Sequence, residues 1–160
     1  MNDFTDQEMK EKYFVIYANY KLQQEIIHCT SKRIIIRVCR RSGKAVGVDN
    51  RGVIRFLASK RVLYAAPTAD QVGCFWNTVT TILAEPIRQE VFIKNESEKY
   101  IELLVTNQHL KAKTAWNADS LRGDYADDLI LDEFQLMSEY TWNTVGALDY
   151  IFCLILGFQR

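Results

Sequence analysis

Arg33-Ile34-Ile35-Ile36-Arg37-Val38-Cys39 runs directly into Arg40-Arg41-Ser42-Gly43-Lys44-Ala45, and that junction decides how the chain is read. The first seven residues have a continuous apolar, β-branched centre, which suits a buried strand of a parallel sheet. After Lys44, residues Val46, Val53, Ile54 and Leu57 recur at helical spacing, while Gly47 and Gly52 lower the propensity of that helix. A strand, a Gly-Lys pair and a helix are the physical context of a phosphate-binding loop. Glycine lets backbone N–H groups approach phosphate, the helix N-terminus favours negative charge, and lysine reaches the β- and γ-phosphates. Against the full pattern G-x-x-x-x-G-K-[ST], Val38 stands at the first glycine and Ala45 at the closing hydroxyl. Taken alone, a bare Gly-Lys is a weak signal and fits an exposed turn better.

The flanking segments alternate. Upstream, Tyr20 to Cys29 places Leu22 and Ile26 on one helical face, with Gln23 and Gln24 in the same turn. Asp6 to Asn19 reads as a helix, or as a helix followed by a short strand. Downstream, Val62–Ala66 reads as a second strand stopped by Pro67, and Thr68 as the N-cap of the next helix. In that helix Val72, Phe75, Trp76, Val79, Ile82 and Leu83 form an i, i+3, i+4 stripe. A hairpin is expected from strands around Val91–Ile93 and Tyr100–Val105, then a strand over His109–Ala115 and a polar loop over Asn117–Asp127. Ser138 opens a helix to about Leu148, and Ile151–Phe158 reads as a last strand. This alternation predicts an α/β fold, a mainly parallel sheet covered by helices on both faces, with sites at the carboxyl ends of its strands.

The apolar run Asp128-Leu129-Ile130-Leu131 ends on Asp132-Glu133, 88 residues beyond Lys44. Two carboxylates at the end of a buried strand are what a Walker B element needs. The first organises Mg²⁺, usually through water, and the second polarises the attacking water; a phosphate–Mg²⁺ centre offsets the cost of adjacent carboxylates. A strand leaving into a solvated acidic loop is the bland alternative.

Charge is divided along the chain. The net charge of the 160 residues is zero, yet residues 1–61 hold 13 Lys/Arg against 6 Asp/Glu, and residues 62–160 hold 7 against 14. That separation fits a polyanion site in the basic half with a catalytic site in the acidic half, or charge that cancels across the fold. Composition narrows the class further. The chain is 48% hydrophobic and 25% charged, as folded domains are. Its apolar run Ile151–Phe158 has eight residues, where a membrane helix needs about 20. The N-terminus lacks the apolar stretch of a signal peptide. Four cysteines without a CxxC pair, and two histidines without a ligand set, argue against a zinc site or a disulfide framework and for reduced, buried thiols.

Several stretches together resemble the N-terminal ATPase domain of bacteriophage terminase large subunits, the motors that package viral DNA. Leu22-Gln23-Gln24-Glu25-Ile26 resembles the segment before the first strand, where a glutamine reads adenine. Cys39-Arg40-Arg41-Ser42-Gly43-Lys44 resembles the arginine-bearing Walker A variant, which often lacks its first glycine. Ala66-Pro67-Thr68-Ala69-Asp70-Gln71 resembles the segment after the second strand. Asp119-Ser120-Leu121-Arg122-Gly123 before Asp128–Glu133 is the most specific match, and the likeness runs from about residue 20 to residue 145.

The resemblance implies a three-layer P-loop NTPase fold of the RecA/ASCE type, here as a single, incomplete ATPase domain without the family's nuclease domain. It implies ATP and Mg²⁺ as ligands, and double-stranded DNA, a portal and a small terminase subunit as partners of the complete protein. The setting it implies is the cytoplasm of a bacterial host, from a phage or prophage gene, with no membrane. By resemblance Gln23, Ser42, Gly43, Lys44 and Ala45 line the nucleotide, Asp132 holds the metal, Glu133 activates water, and Arg40 or Arg41 offsets charge on the γ-phosphate. The alternative is a non-catalytic prophage remnant or interaction module that keeps the α/β core.

Position 45 departs from the family, which places there a Thr or Ser whose hydroxyl binds Mg²⁺. Alanine has no such oxygen, so weaker Mg²⁺·ATP binding and strongly reduced hydrolysis are expected. In a steady-state ATPase assay Ala45→Thr recovers hydrolysis; an Ala45→Thr chain as inactive as its parent would show that the missing hydroxyl is not the cause.

Overall fold

The computed structural model describes residues 20–39, 41–115, 121, 123–146 and 151–158, with backbone alone at 142, 144–146 and 151–158. The expected first segment over residues 6–19, Arg40, and Ser120 and Arg122 of the Ser-Leu-Arg-Gly loop lie outside the described residues. The elements in chain order are α1 (Lys21–His28), β1 (Arg33–Cys39), α2 (Lys44–Leu57), β2 (Val62–Ala66), α3 (Ala69–Ile82) and α4 (Ala84–Arg88). They continue with β3 (Ile93–Asn95), β4 (Tyr100–Leu103), β5 (Gln108–Thr114), β6 (Asp128–Leu131), a 3₁₀ turn (Phe134–Leu136), α5 (Glu139–Gly146) and β7 (Ile151–Phe158).

One sheet joins the strands in the order β1-β7-β6-β2-β5-β4-β3. The first five run parallel, and β4 and β3 extend the sheet antiparallel. The chain passes from β1 through α2 to β2, leaving room for two strands between them, and later returns to fill it with β6 and β7. The carboxyl ends of β1 and β6 therefore face the same edge, with β7 between them. That is where an open α/β sheet forms its crevice.

The two faces of β2 show how the sequence fixes the layers. Its alternate residues point to opposite sides. Val62, Tyr64 and Ala66 join Ile26 of α1, Val48, Val53 and Phe56 of α2, and Val72, Phe75, Trp76 and Val79 of α3 in one buried cluster. Leu63 and Ala65 join Leu129 and Leu131 on the other side, covered by Leu121, Ala126, Phe134 and Met137. Val72, Phe75, Trp76 and Val79 of the α3 stripe, with Leu83 just after it, are buried as the spacing predicts and Ile82 is half-buried, and Thr68 caps the helix with Gln71 in a reciprocal box. Trp76 is a core residue, and its indole N–H donates to Glu96 at 2.7 Å.

Several expectations change. β1 is not a strand buried on both faces: only Ile36 is fully buried, and Ile35 is 68% exposed. The strand pairs with β7 alone among the described residues, so its apolar run reflects β-branched propensity more than burial. In α2, Val46 faces solvent while Val48 and Phe56 are buried, because the helix turns its apolar side toward α1 and α3. Gly52 serves close packing there; a Cβ would meet the Phe75 ring at 3.3 Å. The hairpin forms, but over Ile93–Asn95 and Tyr100–Leu103, and Leu104 and Val105 are exposed in the following turn. Cys39 and Cys74 are exposed free thiols, not buried ones.

Charge also ties the layers. Arg51 is 2% exposed and donates to the backbone carbonyls of Ile26, Ile27 and Cys29 at 2.9, 3.2 and 2.9 Å. These are unsatisfied carbonyls at the C-terminus of α1, where a cation is favoured. The same guanidinium lies 3.5 Å from buried Asp128 at the start of β6, which also accepts from Arg55 at 2.6 Å. One arginine thus fixes α1 and α2 against the strand that carries the acidic pair.

Candidate functional site

The loop between β1 and α2 is shaped for an anion. Arg41 (φ 62°) and Gly43 (φ 78°) both adopt the left-handed region. Such alternation curls successive backbone N–H groups into an anion-binding concavity. Gly43 is required twice over, since its φ disfavours a side chain and a Cβ would lie 2.7 Å from Gln23 Nε2. Gly43 is also the N-cap of α2, a helix of 14 residues with no side-chain cap and no acidic residue in its first turn. No side-chain cap and no first-turn acid of that helix answer its N-terminal N–H groups and dipole. Val38, Cys39, Arg41, Ser42, Gly43, Lys44, Ala45 and Glu133 border a cleft of about 350 Å³.

Lys44 reaches across that cleft. Its Nζ lies 2.5 Å from Glu133 Oε1 and 3.4 Å from Asp132 Oδ1, and its side chain is 13% exposed. The Gly-Lys loop and the acidic pair therefore meet, although 88 residues separate them. Glu133 sits at φ 49°, a left-handed conformation for a residue with a side chain. Its second oxygen accepts from Gln135. Local strain of this kind is held where surrounding contacts over-determine it.

Asp132 is held from several sides. Its Oδ1 accepts from the backbone N–H of Glu133 at 2.9 Å, and its Oδ2 accepts from the Tyr64 hydroxyl at 3.0 Å. Tyr64 is 2% exposed and stacks on Phe75 with ring centroids 3.8 Å apart. Burial, and then the charge of Asp132, push the Tyr64 hydroxyl well above its ordinary value, so it remains a donor. Behind these groups lies Asp49 of α2, buried at 8% exposure. Burial raises its carboxyl to about 7; a hydrogen bond with Thr78 opposes the rise and the charge of Asp132 adds to it.

The other sequence candidates fall as follows. Gln23 is buried, and its Nε2 donates to Gly43 O at 3.2 Å while its Oε1 accepts from Tyr20 N. It braces the loop backbone. Gln24 is exposed beside His28. Ala45 lines the cleft without a side-chain oxygen, and Ser42 Oγ is buried with no hydrogen-bond partner among the described residues. Arg41 is exposed at the cleft, and Arg40 lies outside the described residues. Of the Ser-Leu-Arg-Gly loop, Leu121 is buried against Leu129 and Leu131. Tyr64 and Asp49 carry no motif. The signal that finds Tyr64 is strand alternation: it pairs with Ile130, and Asp132 lies two residues beyond Ile130 on the same face.

The donor set suits a metal–nucleotide better than a bare ion. No group of three or more His, Cys, Asp or Glu residues is placed to hold a metal among the described residues. Mg²⁺, however, typically takes one or two carboxylates together with phosphate oxygens and waters. Asp132 and Glu133 beside the Gly43-Lys44 loop offer the two carboxylates of such a set.

No protein-family model matches the sequence, and no curated protein matches it. Solved structures do. The ATPase domain of the large terminase of Thermus phage P74-26 superposes with a TM-score of 0.75 at 20% identity, over 98% of this chain and 70% of that one. The bacteriophage HK97 large terminase gives 0.71 at 15% identity, over 93% of this chain and 36% of that one. The large terminase of the thermophilic bacteriophage D6E, in complex with ADP, gives 0.57 at 17% identity, over 85% and 38%. The chain has the P-loop fold of phage large terminase ATPase domains. No helix of the described residues is long and apolar enough to cross a membrane.

The buried acid makes stability pH-dependent. Folded Asp49 keeps its proton up to about pH 7, whereas the ordinary value is 3.8. Between these values the native state holds a proton that the unfolded state has lost, so stability falls as pH rises through this window and levels above it. The full span is on the order of 4 kcal/mol. Chemical denaturation from pH 4 to 8 should show that decline, and Asp49→Asn should flatten it and stabilise the chain at pH 8; an unchanged slope in Asp49→Asn would assign the pH dependence elsewhere.

Proposed function

We propose that this chain binds ATP as its Mg²⁺ complex in the cleft between β1 and β6, as the nucleotide-binding core of a phage-type DNA-packaging motor. The observation that supports it is Lys44. A lysine at a helix N-terminus without a side-chain cap, facing two carboxylates at the end of a parallel strand of the same sheet, is the arrangement that P-loop chemistry needs.

In this reading the backbone N–H groups around Gly43 receive the phosphates. Lys44 exchanges Glu133 for the β- and γ-phosphate oxygens. Asp132 holds the metal, directly or through water, and Glu133, released from Lys44, orients the attacking water. Arg41, exposed at the cleft, or Arg40 offsets charge on the γ-phosphate. Gln23 keeps the loop in shape, and its contact with adenine would require it to release Gly43. Bound Mg²⁺ supplies charge neutralisation of the phosphate oxygens. Ala45 contributes no ligand to it, so binding outlasts hydrolysis in this chain. Double-stranded DNA, a portal and a small terminase subunit are the partners of a packaging motor of this fold, in the cytoplasm of a bacterial host.

Ala45 is also the observation that favours the second reading, a non-catalytic remnant or interaction module with the same core. Calorimetry separates the two. The folded chain should bind ATP saturably, and Lys44→Ala should weaken binding at least about 100-fold, or about 2.7 kcal/mol. Absence of saturable binding by the folded parent chain would contradict the nucleotide-binding reading and leave the module.

A further inference from the structure

The metal-side carboxylate has an unusual support. In a site where residue 45 offers no oxygen, Asp132 carries more of the work of placing a cation, and its orientation matters more. Two donors fix that orientation. The backbone N–H of Glu133 holds Oδ1 at 2.9 Å, and the Tyr64 hydroxyl holds Oδ2 at 3.0 Å. The first is local and moves with the strand end. The second comes from a different strand, β2, and reaches Asp132 from 68 residues away in sequence.

Tyr64 is itself immobilised. It is 2% exposed, its ring lies parallel to Phe75 at 3° and 3.8 Å, and its backbone is paired in register with Ile130 of β6 and Ala112 of β5. A hydroxyl on a ring so held is a fixed point, and Asp132 is hydrogen-bonded to it. Residues that hydrogen-bond a metal-binding carboxylate set its direction and its affinity for the ion.

We propose that Tyr64 is a positioning residue for Asp132, setting the affinity of the site for the divalent cation that accompanies the nucleotide and not the affinity for the nucleotide itself. This rests on the nucleotide reading of the cleft. It extends that reading to a residue on a strand that bears neither motif. The phosphate loop and Lys44 are untouched by Tyr64, so loss of its hydroxyl separates the two affinities. The ring of phenylalanine fills the same slot against Phe75, and only the O–H donor is lost.

The test is calorimetric titration of ATP into the full chain across a series of Mg²⁺ concentrations and in EDTA, for the parent, Tyr64→Phe, Asp132→Asn and the double variant, each checked for folding by circular dichroism. Tyr64→Phe is expected to raise the Mg²⁺ concentration giving half of the Mg²⁺-dependent tightening by about tenfold. ATP affinity in EDTA should stay within about twofold. In the Asp132→Asn background the Tyr64→Phe change should have no further effect, because the hydroxyl acts through that carboxylate. An unchanged Mg²⁺ midpoint in folded Tyr64→Phe overturns the proposal while leaving nucleotide binding intact. So does an equal loss with and without Mg²⁺, which marks a merely structural role, or a Tyr64 effect that persists in Asp132→Asn. A folded parent chain that binds no ATP overturns this proposal together with the function it rests on.

Discussion

The Lys44 ammonium held between Glu133 and Asp132 organises the rest of the site. A lysine that is 13% exposed has given up much of its hydration and needs anions close by. Two adjacent carboxylates have the converse need. Each side therefore makes the other tolerable, and the pair holds the end of β6 against the start of α2 before any ligand arrives. The loop around Gly43 then has no side-chain cap and no acidic side chain in the first turn of its own helix. An anion entering the cleft meets backbone dipoles that are already aimed and a lysine that needs only to change partners. Preorganisation of this kind lowers the reorganisation needed on binding.

The same electrostatic logic runs deeper into the fold. The basic first part and acidic second part of the sequence pair across the sheet. Arg51 and Arg55 meet Asp128, Arg61 meets Asp127, and Lys44 meets Asp132 and Glu133. Arg61 donates to Asp127 through both backbone and side chain and holds that carboxyl down at about 2. So the two readings of the charge pattern are not exclusive. Most of the contacts fasten α2 and the start of β2 to the β6 segment, and at one end of the row the pairing becomes a candidate site. Desolvation offsets much of the attraction in the buried Arg51–Asp128 contact, so it is weak evidence of net stability.

How much of this was legible follows from the range of each signal. Gly43-Lys44 and Asp132-Glu133 stood out because a strand ending in a loop is marked locally, by β-branched residues and then by glycine or paired acids. The stripe of α3 and its Thr68 cap were equally local. β1 misled, because three isoleucines state a preference for extended backbone and say nothing of which neighbours a strand has. Cys39 and Cys74 misled because cysteine is buried on average, while theirs are exposed positions at a strand end and on a helix face. Tyr64 and Asp49 were invisible as motifs. They become neighbours of Asp132 only once β2 is paired with β6 and α2 is packed on both, and no spacing along the chain encodes that. The resemblance implies a contact of Gln23 with adenine; the fold places its amide against Gly43 O, a contact set by how α1 packs on α2.

The central claim is that Lys44 is a phosphate ligand parked on Glu133. A crystal structure of the chain with a non-hydrolysable ATP analogue and Mg²⁺ tests it most directly. The account predicts the triphosphate curled against the backbone N–H groups of residues 42–45, with Lys44 Nζ moved from Glu133 to the β- and γ-phosphate oxygens. An analogue bound elsewhere, with Lys44 still paired to Glu133, would contradict it.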